Sequence, residues 1–164
     1  MFCCYIKNKC QEFKSNSIKM NASIEDELKD ATWQNAKAFV PNISYGKVIK
    51  VYDGDTCTIA CKLYNEDTEK QLYRFSVRLN GIDSPEMKSP HENEKKLAHR
   101  SQEALSNLIL GKIVTLQNVS SEKYGRVLAD VYLNDLHINQ WMLDNGYAVK
   151  YDGGTKQRPN EWNE

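Results

Sequence analysis

Five ionisable side chains in three short segments of this 164-residue chain have the types that phosphodiester chemistry needs. Asp53-Gly54-Asp55-Thr56 offers carboxylates, and Arg78-Leu79-Asn80-Gly81-Ile82-Asp83-Ser84-Pro85-Glu86 offers an arginine and two more acids. Tyr124-Gly125-Arg126 adds a second arginine. Asp55, Asp83, Glu86, Arg78 and Arg126 together could hold a metal, activate a water and neutralise a phosphorane. Carboxylate and carbonyl oxygens suit a hard cation such as Ca²⁺. A guanidinium keeps its proton at working pH, so it suits stabilising developing negative charge and not general-base work.

Each segment also has a bland explanation. Asp-Gly is hairpin chemistry. Asp83-Ser84-Pro85-Glu86 reads as a turn in which proline fixes φ. Arg78 could be a solvated strand arginine like Arg74, and Arg126 an ordinary turn arginine. Asp55 alone cannot make a cation site, so Asp83, following the next strand, is the candidate second ligand. Ser84 can add a backbone carbonyl. Glu86, three residues beyond Asp83, can sit near a metal without ligating it, as a carboxylate that orients or deprotonates water must.

The surrounding pattern says how these residues are carried. Ser23 could cap a helix from Ile24 to about Phe39, with Ile24, Leu28, Ala31 and Phe39 on its packing side and Pro41 ending it. From Lys47 the period changes to two. Tyr45 to Tyr52 reads as a strand, and Cys57, Ile59, Cys61 and Leu63 alternate with polar or small residues in a second. Tyr73, Phe75, Val77 and Leu79 mark a third, after a polar turn over Asn65 to Lys70. These consecutive strands predict an antiparallel sheet. Glu92 to Leu110 reads as a helix with Leu97, Ser101, Ala104, Leu105 and Leu108 on one face and Gly111 as its stop. Ile113 to Val119 and Val127 to Leu133 are further strands, and Asn139 to Asn145 a short helix closed by Gly146. The sum is an α+β, mainly β fold: a five-stranded OB-type β-barrel capped by helices.

Composition is that of a globular protein, with 40% hydrophobic and 27% charged residues and a formal net charge of 0. That balance argues against tight nucleic-acid binding over a large surface, but not against a small cleft with local positive charge. Of the five cysteines, Cys57 and Cys61 lie in an apolar strand and read as reduced core thiols, pointing to a reducing compartment. Met1 to Ile6 is apolar, but Lys7 and Lys9 cut it short of a signal or membrane segment. An intracellular, cytoplasmic monomer with no obligate protein partner is expected. Palmitoylation of Cys3 and Cys4, tethering the chain to a membrane, is the weaker alternative to a simple tail.

In order and spacing, Asp53-Gly54-Asp55-Thr56, Arg78 with Asp83 five positions on, Asp83-Ser84-Pro85-Glu86 and Tyr124-Gly125-Arg126 resemble the thermonuclease (staphylococcal-nuclease-like) family. The resemblance runs from about Lys47 to Lys150. It implies that Asp55 and Asp83 ligate Ca²⁺ through their side chains and Ser84 through its carbonyl, with Asp53 supporting the metal shell. It implies that Glu86 is the general base, and that Arg78 and Arg126 hold the scissile phosphate. Lys123 and Tyr124 would help bind a substrate phosphate, and Tyr147 and Tyr151 are candidates for stacking on substrate. Ser84 stands where the family commonly has Thr, a harmless change if the ligand is a main-chain oxygen.

The resemblance therefore implies a calcium-dependent nuclease that cleaves single-stranded or frayed DNA and RNA by in-line attack of water, leaving 3′-phosphates. The domain reading is a flexible tail over residues 1–21, a helical extension over 22–42, a nuclease-like domain over 43–152 and a polar tail over 153–164. The alternative is an inactive nuclease-like module that only binds nucleic acid or protein. Such modules usually lose the acids and arginines, and this chain keeps them.

Overall fold

A computed structural model of the protein describes residues 23–63, 71–122, 124–154 and 158–162. The chain divides after Ala38 into two compact units. In the first, helix α1 covers only residues 23–28, with Ser23 inside it, where the sequence predicts a helix reaching Phe39. The reason is local. The Thr32 amide donates to Asn35 Oδ1 at 2.8 Å, the Asn35 amide donates to Thr32 Oγ1 at 3.3 Å, and Asn35 Nδ2 donates to the Asp30 carbonyl at 2.7 Å. Side chains of this type offer the backbone a turn in place of the next helical bond. Ile24, Leu28 and Phe39, expected to pack, are exposed. The 1–21 tail with Cys3 and Cys4, the turn after Asn65 and Lys123 lie outside the described residues.

The second unit carries the barrel. Its strands are β1 (Tyr45–Val51), β2 (Thr56–Lys62), β3 (Leu72–Leu79), β5 (Ile113–Ser121) and β6 (Val127–Leu133). Two-residue strands β4 (Ile82–Asp83) and β8 (Val149–Lys150) pair with each other, and β7 (Leu136–His137) extends β6. Helix α2 (Glu92–Ile109) lies between β4 and β5, and α3 (Ile138–Asp144) follows β7. The order β3-β2-β1-β5-β6 closes through a β3–β6 pairing, giving the five-stranded barrel. That closing pair is parallel, whereas the meander predicts antiparallel strands throughout. Parity is the cause: strands alternating in direction around a ring of odd number must leave one parallel pair.

Period-two alternation fills the interior. Val48, Cys57, Ile59, Val77, Val114, Ala129 and Val131 are essentially inaccessible, each valine or isoleucine contributing roughly 1.5–3 kcal/mol by its burial. Helix α2 closes one side with Ala98, Ser101, Leu105 and Ile109, spaced as one helical stripe, and Gly111 at φ +77° ends it. The Gly111 amide then donates to the Val48 carbonyl at 2.9 Å, tying helix end to barrel. Asn139 of α3 is buried, accepting from the Val131 amide and donating to the carbonyls of Asn80 and Ala129. This fixes the turn that follows β3.

Candidate active site

Strand register brings the three motif segments to one end of the barrel. Thr56 opens β2 opposite Arg78 of β3, and Arg78 is in turn opposite Leu128 of β6. The parallel closure therefore sets Arg126, just before β6, beside the β2–β3 pair. The β4–β8 pairing of Ile82 with Lys150 and Asp83 with Val149 brings Tyr151 to the same place.

Gly54 makes the approach possible. Its φ is not positive, so the glycine is not there for a left-handed turn. A Cβ would overlap Ser101 Oγ of α2 and stand 2.8 Å from Ser84 Cβ. The segment Asp53–Asp55 is thus wedged between helix and the Asp83-Ser84 turn. Ser101 is held by donating its hydroxyl to the Tyr147 carbonyl at 2.7 Å.

Arg78, Asp55 and Asp83 form one buried cluster. Arg78 is 8% exposed, not a solvated strand arginine. Its NH2 group is 3.1 Å from Asp83 Oδ1 and 3.4 Å from Asp55 Oδ2. Its NH1 group donates to the carbonyls of Ile82 at 2.8 Å and Leu79 at 3.2 Å. Asp55 also accepts from Thr56 Oγ1 at 2.8 Å and from the Ser84 amide at 3.0 Å. Asp53 Oδ1 accepts from the Asp55 amide at 3.1 Å. Burial, reinforced by the neighbouring Asp55 charge, pushes Asp53 up to about 6.

Arg126 is held differently. Its Nε and NH2 donate to Glu122 at 3.1 Å each, and its NH1 lies 3.5 Å from Thr56 Oγ1. The paired hydrogen bond holds Glu122 below the usual carboxylate range and raises Arg126 further. Tyr124 lies exposed beside it, its ring 5.9 Å from the guanidinium.

Glu86 has an exposed side chain, and its backbone amide donates to Glu94 Oε1 at 3.1 Å. Glu94 opens α2 yet is fully buried, also accepting from Ser89 Oγ and lying 3.7 Å from Arg158. Glu94 and Glu122 are site residues that the sequence reading missed. Glu122 had a signal, four positions before Arg126 across a Gly turn. Glu94 had none, since a first-turn glutamate is ordinary.

Tyr151 and Arg78 line a groove of 460 Å³ with Glu122, Ser121 and Leu128. The Tyr151 ring is 5.4 Å from the Arg78 guanidinium. Tyr147 instead stacks on Trp141 at 5.6 Å against the core, outside that groove.

The donor set can be tested for a cation. Asp55 and Asp83 share the Arg78 guanidinium, and buried negative charge in excess is costly without a cation. The chemistry fits a hard cation, but among the described residues no group of three His, Cys, Asp or Glu converges, so main-chain oxygens and water would complete the shell.

Comparison with known proteins places the chain in a family. The family described as staphylococcal nuclease homologue matches residues 76–163, from within β3 onward. A probable staphylococcal-like nuclease of Oryza sativa subsp. japonica is 38% identical over 82 residues, 50% of this chain and 20% of that protein. An uncharacterized endonuclease of Escherichia coli is 32% identical over 109 residues, 66% of this chain and 61% of that one. A staphylococcal-like nuclease of Arabidopsis thaliana is 36% identical over 86 residues, 52% of this chain and 25% of that protein. This chain thus spans a fifth to three fifths of these relatives. The family match covers more than half of the chain, which belongs to the staphylococcal nuclease homologue family.

Proposed function

We propose that this protein is a calcium-dependent nuclease that hydrolyses phosphodiester bonds of single-stranded or frayed DNA and RNA, leaving 3′-phosphates. The observation that carries the reading is the Arg78 guanidinium spanning Asp55 and Asp83 at 3.4 and 3.1 Å, at the barrel end that also holds Arg126. A calcium ion held by Asp55, Asp83 and the Ser84 carbonyl would supply positive charge against the added charge of the phosphorane. Asp53, hydrogen-bonded to the Asp55 amide, holds that carboxylate's backbone in place.

Glu86 orients a water and takes its proton as the water attacks phosphorus in line with the departing 5′ oxygen. The backbone of its turn is tied to Glu94, which fixes where the Glu86 side chain starts. Arg78 turns NH2 donors from the aspartates to the phosphate, and Arg126 offers NH1, the terminal nitrogen that Glu122 leaves unengaged. Tyr151 presents a ring to the substrate in the adjacent groove, and Lys123 and Tyr124 add contacts to a further phosphate. Tyr147, held against Trp141, supports α3.

The test is degradation of heat-denatured DNA by purified protein, in Ca²⁺ or in excess EGTA, beside Glu86→Ala. Cleavage that needs Ca²⁺ and is lost in the variant supports nuclease and site together. A folded wild type that cleaves in none of Ca²⁺, Mg²⁺ and Mn²⁺ would leave a module that only binds nucleic acid or protein.

A further inference from the structure

A second hollow adjoins the site through Asp53 and Glu86. It measures 390 Å³ and is lined by Lys50, Tyr52, Asp53, Glu86, Lys88 and Gln102. Glu86 and Asp53 thus face this hollow, while Arg78 faces the Tyr151 groove. Asp55 and Asp83, joined to Arg78, stand two residues after Asp53 and three before Glu86, so the chain links the two. A polynucleotide whose scissile phosphate sits at Arg78 must send nucleotides in both directions, and the groove accounts for one of them.

The hollow has the chemistry of a nucleotide subsite. Tyr52 is 54% exposed, and Lys50 Nζ stands 5.6 Å from its ring. An aromatic face with a cation beside it matches a base joined to a phosphate. Gln102 Nε2 donates to the carbonyls of Tyr52 at 2.9 Å and Val51 at 3.4 Å, so the backbone carrying the ring is fixed from α2. Lys88, exposed at the rim, adds a second cation.

The sheet beyond the hollow is charged to suit. Strands β1, β2, β3 and β5 contain no aspartate or glutamate, in a chain whose acids and bases balance. Exposed on β1, β2 and β3 are Lys47, Lys50, Lys62 and Arg74, with Lys47 and Arg74 on either side of Ala60 in one cross-strand row. An exposed tyrosine beside a lysine is by itself ordinary surface. A cavity shared with Glu86 and continuity with acid-free strands β1 to β3 are what ordinary surface lacks.

We propose that this hollow binds the nucleotide across the scissile bond from the Tyr151 groove, with Tyr52 stacking on its base and Lys50 and Lys88 holding its phosphate. The inference rests on the nuclease reading, and the acid-free strands β1 to β3 then carry the following phosphates of a single strand.

The experiment has two readouts. Fluorescence anisotropy in EGTA, where nothing is cleaved, compares a labelled mononucleotide with a labelled oligothymidylate for wild type, Tyr52→Ala, Tyr52→Phe, Lys50→Ala and the exposed control Lys96→Ala. Steady-state cleavage of the oligomer in Ca²⁺ gives KM and kcat for the same proteins. Tyr52→Ala and Lys50→Ala are expected to weaken oligomer binding about tenfold, with the loss in KM and mononucleotide binding unaltered. Tyr52→Phe restores binding, and Lys96→Ala matches wild type. Equal losses for mononucleotide and oligomer, an equal loss in Lys96→Ala, or wild-type KM in both hollow variants would overturn the subsite while leaving the nuclease intact. No cleavage by wild type would instead strike the nuclease reading, whatever the binding shows.

Discussion

The two arginines of this site are held in opposite ways. Arg78 is 8% exposed and braced by groups from β3, β4 and the Asp55 turn before β2, brought together by the closure of the barrel. Arg126 is part-exposed and held chiefly by Glu122, four residues before it in the same turn. The first is a piece of the core that also faces the reaction. The second is a local clamp laid on top. The fold should therefore feel the loss of Arg78, and catalysis should feel the loss of either.

The largest effect comes from breaking the buried side. Arg78→Ala leaves two buried carboxylates without their cation, which should cost about 3–5 kcal/mol of stability. Urea unfolding followed by far-UV circular dichroism would show it, with cleavage abolished. A midpoint equal to wild type would mean that the aspartates are solvated and the cluster is not a core element. Gly54→Ala attacks the same side through packing. The new methyl meets Ser101 and Ser84, and overpacking of that kind costs roughly 1–3 kcal/mol. Small alanine-level losses here would show that the Asp53–Asp55 segment can shift without disturbing the aspartates.

The contrast sharpens with Arg126→Ala. Its ion pair is local and partly exposed, so stability should change by less than about 1 kcal/mol. Turnover should nonetheless fall by about a hundredfold to a thousandfold, the usual scale for removing one donor from developing charge. Equal activity loss without any stability gap between the two arginine variants would erase the distinction drawn here.

Glu94→Gln tests a support that neither arginine touches. The amide can still accept from the Glu86 amide but loses its charge beside Arg158. Stability should drop about 1–3 kcal/mol. Cleavage should slow between about tenfold and a hundredfold, because a small misplacement of Glu86 is costly. A kcat unchanged at full stability would show that the Glu86 turn is positioned by something else.

The same division governs what could be read from the sequence. Five strands and α2 follow from period and punctuation, because a half-buried strand and a helix stripe each carry a local signature. Asp55, Asp83, Arg78 and Arg126 could be gathered as candidates because their spacing is a sequence property. The burial of Arg78 could not be read, since the groups against it include Asp55, the β4 residues Ile82 and Asp83, and Tyr151, the last about seventy residues away along the chain. At Gly54 the residue signals a turn, which does form, but the close approach of Ser101 on α2 is a second demand for glycine that the sequence does not show. At α1 the local signal itself was overruled, by Thr32 and Asn35 closing a turn on each other.

The smallest effect lies in the clamp. The Arg126 hydrogen bonds, more than the Tyr124 amide, hold Glu122 below its ordinary value of 4.5, against an opposing push from burial. A carboxylate whose folded value is depressed contributes stability above the unfolded value and loses it as pH falls through the folded value. The pair is therefore fully formed at neutral pH and begins to fail only below about 4.5. Wild type should lose more stability than Arg126→Ala between pH 5 and pH 3, by a few tenths of a kcal/mol up to about 1, in parallel urea titrations. In Arg126→Ala, carboxyl-carbon NMR should find Glu122 moved up from its wild-type value. Overlapping pH curves for the two proteins, with Glu122 titrating alike in both, would show the clamp to be open in solution, and Arg126 would then depend on substrate to hold it.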